Sequence, residues 1–152
     1  MTYTITPFVG VGELQFGMDR NHINRHILQG YHFDSQENEN VVTAEKSTND
    51  FFEQGIALGY MNSDFRLKYI LFIGQSVYFH GRDLSEMNYA ECLACLSAFD
   101  KAIEIEEYVG FTSYQLGIAI YAPNATEDPK THIECITVAE KGYFEVENGK
   151  MA

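Results

Sequence analysis

His22 and His26 stand four residues apart, the spacing at which two imidazoles on one helix face can share a metal ion, and His32 follows closely enough to supply a third ligand. The glutamate that a zinc hydrolase carries directly after the first histidine is missing, because residue 23 is isoleucine. Solvent-facing polar histidines are therefore the expectation, and no metal. Cys92-Leu93-Ala94-Cys95 has the spacing of a redox pair or of half a zinc site. A redox pair needs an exposed helix start, where the dipole lowers the thiol pKa. A zinc site needs a second ligand pair, which Cys135 alone does not supply. Leu93 and Leu96 place the two thiols in an apolar helical stripe, so buried structural cysteines are expected. Gly10-Val11-Gly12 begins a nucleotide loop without completing it, and neither a P-loop nor a Gly-x-Ser-x-Gly elbow follows. No cofactor is expected, and the chain reads as non-enzymatic.

Charge is the stronger signal. The 152 residues carry 10 basic and 22 acidic side chains, for a net charge of −12. Residues 1–76 hold five basic and nine acidic side chains, whereas residues 77–152 hold five and thirteen, so a docking surface is expected in the second half. Glu104, Glu106 and Glu107 cluster ahead of Tyr108, and Glu127 and Asp128 lie in a loop flanked by Pro123 and Pro129. Such runs commonly mean a solvated face; the alternative is a patch that receives Lys and Arg of another protein. A field of this sign opposes nucleic acid and anionic membranes as main partners. It accelerates encounter with a basic protein. The first residues lack a basic segment followed by a continuous apolar one, no stretch has the length of a membrane span, and three cysteines make no disulfide framework. A cytoplasmic location is the expectation.

The elements that would position these groups follow from periodicity. Asp19 is a helix cap, and Met18, Ile23, Ile27 and Leu28 give a stripe for a short helix over 19–28, ended by Gly30. Residues 34–42 read as a polar loop, and much of 34–49 as mobile. Strands are expected over 51–60 and 65–73, joined by Met61-Asn62-Ser63-Asp64, with another over 76–79. The best helix lies within 82–103, with Ser85 as its cap and Met87, Tyr89, Leu93, Leu96 and Phe99 facing the core. Three strands complete the chain, over 111–122, 132–139 and 142–146, and the first two are separated by a turn or open loop.

Two stretches share a pattern. Gly55-Ile56-Ala57-Leu58 matches Gly117-Ile118-Ala119-Ile120 at an offset of 62, and Asn62 matches Asn124. Leu71, Ile73, Tyr78 and Phe79 match Ile136, Val138, Tyr143 and Phe144 at an offset of 65. The expectation is one α+β domain over 1–152, made of two imperfect helix-plus-antiparallel-sheet repeats, about 10–76 and 77–147. Alternation puts Ile56, Leu58, Leu116, Ile118 and Ile120 on an apolar face that the helices cover. The other face receives Gly55, Ala57 and Gly59 in one copy and Gly117, Ala119 and Tyr121 in the second. Side chains this small let another molecule approach the backbone, or simply permit strong twist.

Leu14-Gln15-Phe16-Gly17-Met18, followed by Arg20 and a short helix, resembles the opening motif of the β-lactamase inhibitor protein family and of the related BamE-like modules. The second copy has Phe79-His80-Gly81-Arg82-Asp83 in its place. The resemblance implies a tandem duplication that grips a target with its concave sheet. With the charge, it gives a non-enzymatic protein-binding inhibitor, concretely a bacterial immunity protein that neutralises a cationic toxin domain such as a nuclease. The residues expected to meet that partner are Glu104, Glu106, Glu107, Tyr108, Gly117, Ala119, Tyr121, Glu127 and Asp128. A second reading is a sensory module that binds a small molecule or peptide on the bare face. A third is an envelope assembly adaptor.

Overall fold

Asp19 starts the first helix as expected. Its backbone is extended, and its carboxylate accepts the Asn21 N–H at 2.9 Å, which turns the chain into α1 (Arg20–His22). The helix then widens to a π-turn over Ile23–Ile27, closed by Leu28 N–H on the Ile23 carbonyl at 2.9 Å. The wide turn brings Ile23 and Leu28, five residues apart, to the same buried side. The computed structural model describes residues 1–150.

The stretch 34–49 is a hairpin and not a loop. β4 (Phe33–Glu39) and β5 (Lys46–Phe52) pair in continuous register from Phe33 opposite Phe52 to Glu39 opposite Lys46. From Asp34 onward β4 is exposed on both faces, so it shows no alternation, and its polar side chains are what an unpaired sheet edge requires. The strand expected over 51–60 is divided at Gly55, where φ is 92°; its second part is β6 (Ile56–Met61), which pairs with β7 (Leu67–Phe72). The strand expected over 111–122 is likewise divided, into β11 (Gly110–Ser113) and β12 (Ile118–Tyr121). The acidic Glu104–Glu106 forms the edge strand β10, and β13 (Cys135–Ala139) lies between β12 and β7.

The segment expected as a strand over 142–146 instead forms α3 (Tyr143–Glu147). Both edges of β13 are already paired, so the segment cannot continue the meander beside it and satisfies its backbone within a turn, with Val146 N–H on the Gly142 carbonyl at 3.1 Å. The long helix α2 (Tyr89–Ser97) is capped by Asn88 rather than Ser85: the Asn88 side chain takes the Glu91 N–H at 2.8 Å, and Glu91 returns the bond at 3.1 Å. Ser85 instead sits in a 3₁₀ turn, Leu84–Glu86, capped by Asp83. Cys92, Cys95, Leu96 and Met87 are buried, while Phe99, expected inside, lies beyond the helix and is 41 % exposed.

The fold is α+β. Strands β4–β7 and β10–β13 form one antiparallel sheet in the order β10-β11-β12-β13-β7-β6-β5-β4. It is therefore two four-stranded meanders set back to back across the β7–β13 pair. A smaller sheet, β3-β2-β1-β8-β9, comprises β1 (Tyr3–Thr6), β2 (Gly10–Val11), β3 (Leu14–Gln15), β8 (Val77–Phe79) and β9 (Arg82–Asp83). The large sheet turns Ile56, Leu58, Ile70, Phe72, Ile118, Ile120, Ile136 and Val138 inward to one core shared with Ile23, Leu28, Cys92, Leu96 and Val77. Leu71 and Ile73 point the other way. The alignment of those two with Ile136 and Val138 was thus one residue out of phase, which in a strand exchanges the faces. Nor do the Tyr-Phe pairs correspond, since Tyr78 and Phe79 lie on β8 and Tyr143 and Phe144 on α3.

A buried ion pair ties α1 to the core. Asp50 on β5 has no exposed surface and receives Arg20 through Nε at 2.7 Å and Nη2 at 2.8 Å, with the Ser35 hydroxyl at 2.6 Å. The Asp50 bond raises the Arg20 pKa against the burial that opposes its charge. Among the described residues, no helix is long and apolar enough to cross a membrane.

Candidate functional site

The face of the large sheet turned away from the core is the candidate site. Strand register assembles it. Glu104 stands opposite Thr112, Thr112 opposite Ala119, Ala119 opposite Thr137 and Thr137 opposite Leu71, in one row across the sheet. A second row carries Glu106, Gly110, Tyr121 and Cys135. Tyr121 and Ile73 are 45 % and 54 % exposed on this face.

The two meanders differ here. The sequence predicts a bare surface at Gly55, Ala57 and Gly59, but a Cβ on Gly55 would run into the Ile73 carbonyl, Ala57 is buried and a Cβ on Gly59 would lie 1.9 Å from the Tyr69 ring. Tyr69, the cross-strand partner of Gly59, lies over it, hydrogen-bonds Asn49 and meets the Tyr143 ring of α3 at 5.1 Å. An aromatic covering a glycine across a ladder closes that half. In the other half the face stays open at Ala119 and Tyr121. Gly117 does not belong to it: φ is 69°, the residue is buried, and a Cβ would meet the Ala139 carbonyl at 2.8 Å and the Phe8 ring at 3.0 Å.

The chain after β13 crosses this open half. From α3 it continues to Asn148, whose amide donates to the Tyr114 hydroxyl at 2.8 Å, and to Lys150, whose Nζ reaches Glu104 Oε2 at 3.0 Å. Between this segment and the sheet is a cavity of ≈ 340 Å³, lined among others by Glu104, Glu106, Thr112, Ala119, Tyr121 and Thr137. The remaining acids gather at one end of the sheet. Tyr108 turns the chain between β10 and β11 with φ 61°, and its N–H donates to the Thr126 hydroxyl at 2.7 Å. That bond brings the Glu127–Asp128 loop beside Glu107 and Tyr108, all four exposed.

Of the nine residues singled out in the sequence, the structure thus places Glu104, Glu106, Ala119 and Tyr121 on the open face, and Glu107, Tyr108, Glu127 and Asp128 at its end. It removes Gly117. Sequence reasoning missed Thr112, Thr137, Tyr114, Asn148 and Lys150. The two threonines were legible as the polar alternates of their strands; nothing marked the other three.

The remaining chemistry-bearing groups lie elsewhere. His22 and His26 are exposed, with ring centroids 5.1 Å apart, and His32 faces Asp34 at 3.6 Å. Among the described residues, no three His, Cys, Asp or Glu side chains are placed to hold one metal ion. The three cysteines are free thiols. Burial, then the neighbouring Cys95, pushes the Cys92 thiol up to about 12, the reverse of a reactive helix-start cysteine. No family model, curated protein or solved structure was found to match the chain.

Proposed function

We propose that the protein is a non-enzymatic inhibitor that docks a basic protein partner on the open half of its outer sheet face, as a cytoplasmic bacterial immunity protein would neutralise a cationic toxin domain such as a nuclease. The observation that carries this reading is one surface: a sheet face open at Ala119 and Tyr121, with Glu104 and Glu106 on its edge and Glu107, Tyr108, Glu127 and Asp128 at its end. Acids around the rim steer a cationic partner in, and the exposed tyrosines supply anchors. A sensory module would be favoured by a closed apolar pocket. The cavity here is open and carries two glutamates and two threonines, which suits a polar protein surface better.

The same proposal includes descent from a duplicated unit, in keeping with the resemblance to the β-lactamase inhibitor proteins and BamE-like modules. Three correspondences support it. Each meander follows a helix capped by Asp or Asn after Met, at Met18-Asp19 and Met87-Asn88. Each cap residue bridges to the approach of its unit's last strand, Asp19 to Arg66 and Asn88 to His132. Gly55 and Gly117 both have positive φ, and their carbonyls accept Ile73 N–H at 2.8 Å and Ala139 N–H at 3.0 Å.

The test is neutralisation. The product of the gene immediately upstream is expressed alone and together with this protein. Growth arrest relieved by co-expression, with a 1:1 complex whose association slows in salt, is the expected result. Undiminished arrest, or the absence of a complex with the purified upstream product, sinks the reading.

A further inference from the structure

We propose that the cavity under the C-terminal segment is a lysine socket: it receives the side chain of a lysine from the partner, and Lys150 is an internal placeholder which that lysine displaces. This rests on the inhibitor reading and names the anchor that reading needs. The seat is already occupied by the right chemistry, since the Lys150 ammonium lies 3.0 Å from Glu104 Oε2. The other carboxylate oxygen, Oε1, is faced by the Tyr114 hydroxyl at 3.5 Å. Oε2 already receives an ammonium while Oε1 faces the hydroxyl, an arrangement that suits a compact ammonium better than the two-pronged fork of a guanidinium.

The walls fit the rest of such a side chain. Ala119, Thr112, Thr137 and Tyr121 line the cavity: a side chain of one methyl keeps the floor low, an aromatic residue can flank a methylene stem, and two threonines bring hydroxyl-bearing side chains. Glu106, on the same side of the same strand, has no ion-pair partner among the described residues and adds attraction as the stem enters. Exchange is easy because both ends of the placeholder are wet, with Lys150 and Glu104 side chains 47 % and 48 % exposed. An ion pair so exposed holds its partner weakly.

The experiment titrates ¹⁵N-labelled full-length protein with pentalysine, pentaarginine and spermidine at low salt, and follows backbone amides. Pentalysine is expected to move Thr112, Ala119, Tyr121 and Thr137 and to release Asn148 and Lys150. Lys150→Met should bind it about two- to fivefold more tightly, because the competitor is gone. Glu104→Gln should lose these shifts while keeping its other resonances, which shows that the fold is intact. Equal binding by Lys150→Met and the unaltered chain overturns the placeholder. Shifts that map away from the cavity, or pentaarginine or spermidine bound as tightly as pentalysine, overturn the socket. The inhibitor reading separates cleanly. A Glu104→Gln chain that neutralises the upstream product at full strength removes the socket alone. A socket that titrates as expected in a chain that neutralises nothing supports the socket and removes the inhibitor.

Discussion

Arg20 and Asp50 show how much one pair of residues can carry. Asp50 is fully enclosed, and its charge is tolerable only because the guanidinium and the Ser35 hydroxyl surround it. Arg20→Met leaves that carboxylate buried and unpaired, at an expected cost of about 3–5 kcal/mol in urea denaturation. Adding Asp50→Leu should recover most of the loss, since an apolar pair of similar volume replaces buried charges at little cost or none. If the double variant is no more stable than the single, the ion pair is not the origin of the effect. The cysteines give a second test at this scale. Cys92 and Cys95 are enclosed, and burial holds the Cys92 thiol near 12, so at pH 8 it is neutral and inaccessible. Cys135, half-buried on the outer face, is the one thiol expected to react with a disulfide reagent in the native protein, slowly because burial also raises its pKa. All three should react in denaturant. Two or three fast-reacting thiols in the native state would contradict this packing.

Among the elements, β6 and β12 carry the same Gly-Ile-Ala start and meet opposite fates. Ala57 is buried and Ala119 lines the cavity. The same change therefore separates them. Ala57→Phe should overpack the region beside Tyr69 and cost about 1–3 kcal/mol, with a lower melting temperature. Ala119→Phe should fill the cavity, alter stability by only about ±0.5 kcal/mol and abolish partner capture. A fall in melting temperature for Ala119→Phe as large as for Ala57→Phe would show that the face is closed in both halves. Among the described residues α3 marks the difference: Tyr143 packs against Tyr69 over one meander, whereas Asn148 and Lys150 lie over the other.

At the scale of the molecule, the net charge of −12 acts through where the acids sit. Edge strand β10 and the turns at its end concentrate Glu106, Glu107, Glu127 and Asp128 beside the open face. Reversing Glu106, Glu107 and Glu127 to Lys should slow association with the basic partner and flatten its dependence on salt, with a smaller change in dissociation. Stopped-flow binding at two ionic strengths measures this. An unchanged rate at low salt would place the interface elsewhere, most plainly on the β4 edge, whose side chains are equally open to solvent.

What the sequence determined by itself was local. Periodicity found both main helices, because caps and apolar stripes act within one or two turns; Asp19 began the first as read, and the second moved its cap only from Ser85 to Asn88. Alternation assigned Ile56, Leu58, Ile118 and Ile120 to the core, because adjacent residues of a strand must face opposite ways. Composition showed an acidic chain weighted toward its second half. The tertiary structure decided everything that depended on a neighbour distant in sequence. β4 exists because β5 pairs with it, and its polar residues gave no sign of that. Residues 143–147 became a helix because both sides of β13 were taken. Gly59 lost its open face to Tyr69, ten residues on, and Gly117 to Phe8, at the opposite end of the chain. The candidate site shows the same division: its acids and Tyr121 were readable, whereas the cavity came from Asn148 and Lys150 folding back to Tyr114 and Glu104. No local propensity encodes a return of that kind, because it depends on where the sheet has already placed its partners.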